Sequence, residues 1–162
     1  MTVAIRPATL DDVDAALALD ESVALEGRWL AVEAPVDRIT RGRRFRESIA
    51  SDKATLLVAD DDGAVVGLLG IEVSSYGVAE FGMMVAADRR AQGIGRDLLS
   101  TAIEWARSGG AHKVALEVWP HNEPAIGLYR KFGFEQEGLL RSHYRRRNGE
   151  LWDVVRMGLV LV

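Results

Sequence analysis

The chain has 162 residues, 48% of them apolar and 27% charged, which suits one ordinary domain with a substantial buried core. It contains no cysteine, so a disulfide framework, a thiolate metal site and thiol redox chemistry are all excluded. The net charge of -4 argues against a general nucleic-acid binder, which needs a basic excess to displace counterions.

Residues 1–162 are read as a single domain. Met1 to Thr9, with Arg6 and Pro7, lack the apolar core of a signal peptide, and no later stretch approaches the roughly 18 apolar residues of a membrane span. A soluble, cytoplasmic protein with no membrane partner is expected. Val3-Ala4-Ile5 reads as a first strand, and Thr9 followed by Asp11 and Asp12 reads as a helix start, with the helix running from about Leu10 to Glu26. A loop containing Gly27, Arg28 and Trp29 precedes a second, arginine-rich helix, marked by Pro35, Val36, Ile39, Phe45 and Ile49.

Ala54 to Ala59 and Ala64 to Val73 are predicted strands joined by a hairpin turn at Asp60-Asp61-Asp62-Gly63. Val78 to Val85 forms a further strand. Helical periodicity holds from Gly95 through Trp105 and stops at Gly109-Gly110, and Lys113 to Val118 returns to strand. A short helix from Asn122 to Lys131 ends at Gly133. Two last strands, about Phe134 to Arg141 and Leu151 to Val162, flank a turn at Asn148-Gly149. The fold class is therefore α/β: a mixed sheet, antiparallel at its start and end, with a parallel crossover at its centre.

The segment Arg90-Ala91-Gln92-Gly93-Ile94-Gly95-Arg96 follows a strand and opens a helix, where free backbone N–H groups converge and an anion fits. Glycines at 93 and 95 remove side chains that would block those amides, and Arg90 and Arg96 add positive potential. No lysine-serine/threonine ending or third glycine follows, so the P-loop and the Rossmann fingerprint both fit poorly. Alone, the two glycines are better read as a tight strand-to-helix turn with no ligand.

The stretch from Val85 to Leu99 resembles the acyl-CoA signature of the GNAT superfamily of N-acetyltransferases, with Arg90, Gly93 and Gly95 at its three defining positions. A second stretch is similar to the signature that follows the family's fifth strand: Leu116-Glu117-Val118, then Asn122, Ala125, Leu128-Tyr129 and Gly133-Phe134. Ala87 stands where many members carry proline.

The resemblance implies a mostly antiparallel sheet of six or seven strands flanked by about four helices, with a splayed parallel pair at its centre. It also implies acetyl-CoA as donor, its pyrophosphate on residues 90 to 96 and its pantetheine arm near Met84, Val85 and Asn122. Tyr129 is then the acid that protonates the departing thiolate. Two glutamates, Glu80 and Glu117, are open as the base; each stands in an apolar strand, where burial would raise a carboxylate's pKa, although an exposed strand face is the simpler reading of both. The family's acceptor region corresponds here to Arg28, Trp29 and the stretch around His143 and Tyr144. Arg28, or the cluster Arg41, Arg43, Arg44 and Arg46, could hold a substrate carboxylate.

Arg145-Arg146-Arg147 is read as a solvated hairpin tip. His112, His121 and His143 lack zinc-site spacing, so no metal is expected. The expected function is acetyl transfer to a small-molecule primary amine such as an amino acid. Acetylation of a protein N-terminus and a non-catalytic acyl-CoA sensor are the alternatives, and a homodimer is the family habit.

Overall fold

The computed structural model describes residues 2–162. Strand β1 (Ala4–Pro7) leads through one 3-10 turn, Leu10–Asp12, into helix α1 (Val13–Ala24). The sequence predicts a single helix here. Its first turn is tighter because the Asp12 carboxylate folds back to accept the Thr9 N–H at 2.7 Å and two bonds from the Arg6 guanidinium. Arg6 holds the Asp12 carboxyl down at about 2 and also donates to Asp60 at 3.0 Å, so one side chain ties β1, the turn and the next strand. Helix α2 (Arg38–Ala50) starts later than expected. Pro35 stays in the preceding loop, and Asp37 caps the helix by accepting the Thr40 N–H at 3.1 Å.

Strands β2 (Ala54–Asp61) and β3 (Ala64–Val73) meet through Asp62 and Gly63, whose φ values of +50° and +93° make the primed turn that matches strand twist. Next come β4 (Val78–Val85), a 3-10 turn at Ala87–Arg89, α3 (Ile94–Ser108), β5 (Lys113–Val118) and α4 (Glu123–Lys131). The chain closes with β6 (Glu135–Arg145) and β7 (Leu151–Val160).

The sheet has seven strands in the order β1-β2-β3-β4-β5-β7-β6, antiparallel throughout except for the β4–β5 pair. Side-chain alternation sorts the core into two layers. On one face Leu57, Leu69, Phe81, Val114 and Leu116 pack with Leu98, Leu99 and Ala102 of α3. On the other, Leu56, Val58 and Leu68 pack with Leu17 and Val23 of α1 and Phe45 of α2.

The one parallel pair is short. β4 and β5 share a ladder only from Val78–Glu80 to Lys113–Ala115, after which they part. Each strand is held by its outer neighbour, β4 by β3 up to Val85 opposite Gly67 and β5 by β7 up to Val118 opposite Val155. The free inner edges leave a wedge-shaped gap.

The C-terminal hairpin departs from the sequence expectation. β6 continues to Arg145 by way of a bulge at Arg141-Ser142-His143, which stands against Asp153 alone; Ser142 takes φ +52° and donates its N–H to the Asp153 carboxylate at 2.7 Å. Arg146 is not solvated. It is 5% exposed, because the α1–α2 loop folds over the hairpin tip and offers its backbone carbonyls.

Candidate active site

The loop from Arg90 to Arg96 lies at the wide end of the gap. Ala91 and Gly93 both adopt left-handed backbone, φ +59° and +85°, turning the chain sharply into α3. Gly93 is the N-cap and has no side chain to cap with, so the first amides of α3 stay free for a ligand. A Cβ on Gly93 would lie 2.9 Å from Arg96 Nη2, whose side chain folds over the loop. Gly95 is different. A Cβ there would make ordinary contacts with Leu128 at 3.5 Å and Met83 at 3.6 Å, so space for a bulky side chain, not backbone conformation, is what is restricted.

Several side chains of this loop are occupied elsewhere. Ile94 is buried in the core and can offer a ligand only its backbone, while Gln92 bonds Arg89 at 3.3 Å. Arg90 donates to Val85 O at 3.1 Å and forms a two-pronged ion pair with Glu26 at 2.8 and 2.7 Å. That pairing holds the Glu26 carboxyl below its ordinary range and fastens the loop to the end of α1. Arg90 therefore braces the loop, and its guanidinium is committed to Glu26 rather than turned toward an anion on the free amides.

Tyr129 comes from α4 on the same side of the sheet. It is 6% exposed, packed edge-on against Phe81 at 5.7 Å and tilted against Phe134 at 5.8 Å. Its hydroxyl has no hydrogen-bond partner among the described residues. Since no buried polar side-chain atom there is left unpartnered, the small exposed part of Tyr129 includes the oxygen. Burial pushes the phenol up from its ordinary pKa, keeping the proton on. At the other end of α4, Asn122 caps the helix, its side chain accepting the Ala125 N–H at 3.4 Å with Pro124 in the first turn.

The two glutamates lie together on the opposite face. They stand on an exposed strand face rather than in a buried apolar setting: the Glu80 side chain is 64% exposed and that of Glu117 30%. Arg156 on β7 joins them, donating to Glu80 at 3.1 Å and to Glu117 at 3.5 Å. Tyr144 donates its hydroxyl to the other oxygen of Glu117 at 2.8 Å, which together with burial raises the phenol's pKa. Arg156 has no signal in the sequence. It is one arginine in an apolar strand, and its role appears only when β7 is inserted between β5 and β6.

This face opens into a cleft of about 530 Å³ between α2, the α1–α2 loop and strands β3 and β4. Leu30, Ala31 and Val32 form one wall, Arg41, Arg44, Phe45 and Ser48 another, and Glu72, Glu80, Gly82 and Met84 the floor. The Arg28 guanidinium stacks on Trp29 at 4.7 Å, and neither residue lines the cleft itself. Beside it, Trp119, His121, Tyr144 and Trp152 form an aromatic cluster, with Trp119 and Trp152 rings 5.0 Å apart. Arg146 sits over both tryptophans, at 5.4 and 4.2 Å, and donates to Leu30 O and Ala31 O. Arg147 adds a bond to Ala34 O at 2.7 Å. The hairpin tip thus fixes the wall.

A free-amide loop at the mouth of a split parallel pair, with a protonated phenol on one side and a polar cleft on the other, defines an acyl-CoA-dependent transferase. The chain belongs to the acetyltransferase (GNAT) family, which it matches over residues 23–134. The family's acetyl-CoA-dependent N-acetyltransfer is its activity.

Among relatives, an L-methionine sulfoximine/L-methionine sulfone acetyltransferase of Pseudomonas aeruginosa is 30% identical, the match covering 85% of this chain and 83% of that one. The N-alpha-acetyltransferase RimI of Mycobacterium tuberculosis is 34% identical over 69% of this chain and 72% of its own. A Salmonella typhimurium structure solved with its cofactor acetyl-CoA shares the fold at a TM-score of 0.89 and 23% identity, covering 100% of this chain and 95% of that one. The described residues include no helix long and apolar enough to cross a membrane.

Proposed function

We propose that the chain acetylates the primary amine of a small molecule, an amino acid or close derivative, by direct attack. The observation that carries this reading is the cleft beside the split of β4 and β5. Its wall is tied down by Arg146 and Arg147, and its volume of about 530 Å³ suits a small ligand better than a chain passing through.

Acetyl-CoA supplies a thioester-activated acetyl carbon. The amides at the start of α3 fit its pyrophosphate, and Arg96 over Gly93 adds positive charge. The acceptor amine must be neutral to attack, so its proton passes to Glu80 or Glu117, directly or through water, with Arg156 holding the two carboxylates in one place. As the new N–C bond forms and the C–S bond breaks, the thiolate takes a proton from the Tyr129 hydroxyl, the proton shed by the acylated nitrogen passes out through water, and the phenolate is reprotonated from solvent.

Acetylation of a polypeptide N-terminus is the second reading, supported by the similarity to the M. tuberculosis N-alpha-acetyltransferase. Thiol release from acetyl-CoA across amines, amino acids and N-terminal peptides separates the two. The proposal expects turnover with amino acids or their derivatives. Turnover with peptides alone would transfer it to the second reading, and coenzyme A binding without thiol release for any amine would leave only a sensor.

A further inference from the structure

The α2 residues facing the cleft are Arg41, Arg44, Phe45 and Ser48, a stripe at the i, i+3, i+4 and i+7 spacing of one helix face. Arg41 is spent: it forms a two-pronged pair at 2.9 and 3.2 Å with Asp20, which is 0% exposed, and stacks on Phe45 at 5.0 Å. Arg156 is likewise spent between Glu80 and Glu117. Arg38, Arg43 and Arg46 lie off the stripe and do not line the cleft. Arg44 alone, among the described residues lining it, presents a guanidinium with no carboxylate partner.

The floor has the opposite sign. Glu72 and Glu80 stand directly opposite each other on β3 and β4 and both line the cleft; Arg156 reaches Glu80, while Glu72 has no ion-pair partner among the described residues. Two like charges side by side are unfavourable by themselves and favour a cation between them and the opposite wall. A cationic wall one turn from Ser48, facing an anionic floor across a small cleft, matches a ligand carrying both charges. Free α-amino acids have that pattern. A polypeptide N-terminus does not, since its first residue carries an amide in place of the carboxylate.

Resting on the acetyl-transfer reading above, we infer that Arg44 takes the acceptor's α-carboxylate, which makes the acceptor a free α-amino acid or a derivative that keeps its carboxylate. The guanidinium fork offers two parallel bonds to the carboxylate, and the α-amine is turned toward the carboxylates of the floor.

The test compares kcat/KM for a panel of L-amino acids, their α-amides and short peptides, in the wild type, Arg44→Gln, Arg44→Lys and the off-stripe control Arg43→Gln. The wild type should prefer each acid over its amide by roughly 10- to 100-fold, the range of a hydrogen-bonded charge pair. Arg44→Gln should collapse that ratio toward one, mainly by raising KM for the acid; Arg44→Lys should recover part of it, and Arg43→Gln should keep it. Equal use of acid and amide by the wild type, or an acid-to-amide ratio untouched in Arg44→Gln, overturns the role of Arg44 and leaves acetyl transfer standing. Absence of thiol release with every amine, while acetyl-CoA still binds, overturns both.

Discussion

The Tyr129 phenol is surrounded by Phe81 and Phe134 and receives no hydrogen bond from a protein group, so nothing nearby stabilises a phenolate. With its pKa pushed up by burial, it remains a proton donor through the alkaline range in which an ordinary tyrosine ionises. Tyr129→Phe keeps the packing and removes only the hydroxyl group. Its kcat should fall by about a hundredfold with little change in acetyl-CoA affinity, and the wild-type rate should show no alkaline loss from this group near pH 10. Wild-type turnover in the variant would end the assignment. The two loop glycines separate by the same kind of reasoning. Gly93 needs φ +85° and stands 2.9 Å from Arg96 where a Cβ would go, whereas Gly95 is helical with ordinary clearance. Gly93→Val should therefore weaken acetyl-CoA binding tenfold or more, and Gly95→Ala should leave it within about twofold. Equal losses, read by titration calorimetry, would mean that the left-handed backbone of Gly93 does not govern the loop.

Periodicity made the elements readable: β2 sends Leu56 and Val58 to one core and Leu57 and Ala59 to the other. The ends were less legible. Asp12 tightens the start of α1 by accepting the Thr9 N–H, and Asp37 delays α2 by capping it, neither of which a hydrophobic pattern can show. The arginine run at 145 to 147 misleads for a stronger reason. Its partners are the carbonyls of Leu30, Ala31 and Ala34, more than a hundred residues away in sequence, and a local reading of three charges beside an Asn-Gly turn gives solvent. Arg146 joins two elements through hydrogen bonds and two tryptophan faces while its ion pair with Glu33, at 3.7 Å, is loose. Arg146→Met fills much of the volume but leaves the carbonyls unpaired. It should cost about 2–4 kcal/mol in chemical denaturation and raise the acceptor KM more than the acetyl-CoA KM, since the loop it holds walls only the acceptor side. A loss below about 0.5 kcal/mol would show that the loop holds itself in place.

At the scale of the whole molecule, the functional feature is a defect in the sheet: seven strands hydrogen-bonded in sequence, with one seam, β4–β5, closed for three residue pairs and open beyond. The seam's position follows from chain order, since α3 carries the chain across from β4 to its parallel neighbour β5, and that much was readable from the strand-loop-helix-strand pattern around Gly93. A second crossover, through α4 from β5 to β6, leaves the place that β7 fills. The cofactor reading also came from the sequence, through Asn122 and Tyr129 downstream of the loop. Of the acceptor face the sequence offered single candidates, Glu80, Glu117, Tyr144 and the arginines of α2, but not Glu72, Arg156 or their assembly, because the face is drawn from α2, β3, β4, β5 and β7, which meet only in three dimensions. An open seam also has an energetic consequence. Backbone groups and apolar edges of Phe81–Val85 and Leu116–Val118 that a continuous sheet would pair are left for a ligand, so binding there should stiffen both halves of the sheet at once. Acetyl-CoA at about a hundred times its Kd contributes about 2.7 kcal/mol, which in a domain of this size raises Tm by roughly 5–10 °C. Differential scanning calorimetry should find a single transition moving upward with acetyl-CoA concentration, and Gly93→Val should need a proportionally higher concentration for the same rise. A Tm indifferent to saturating acetyl-CoA, or a Gly93→Val shift identical to wild type, would remove the donor from the seam.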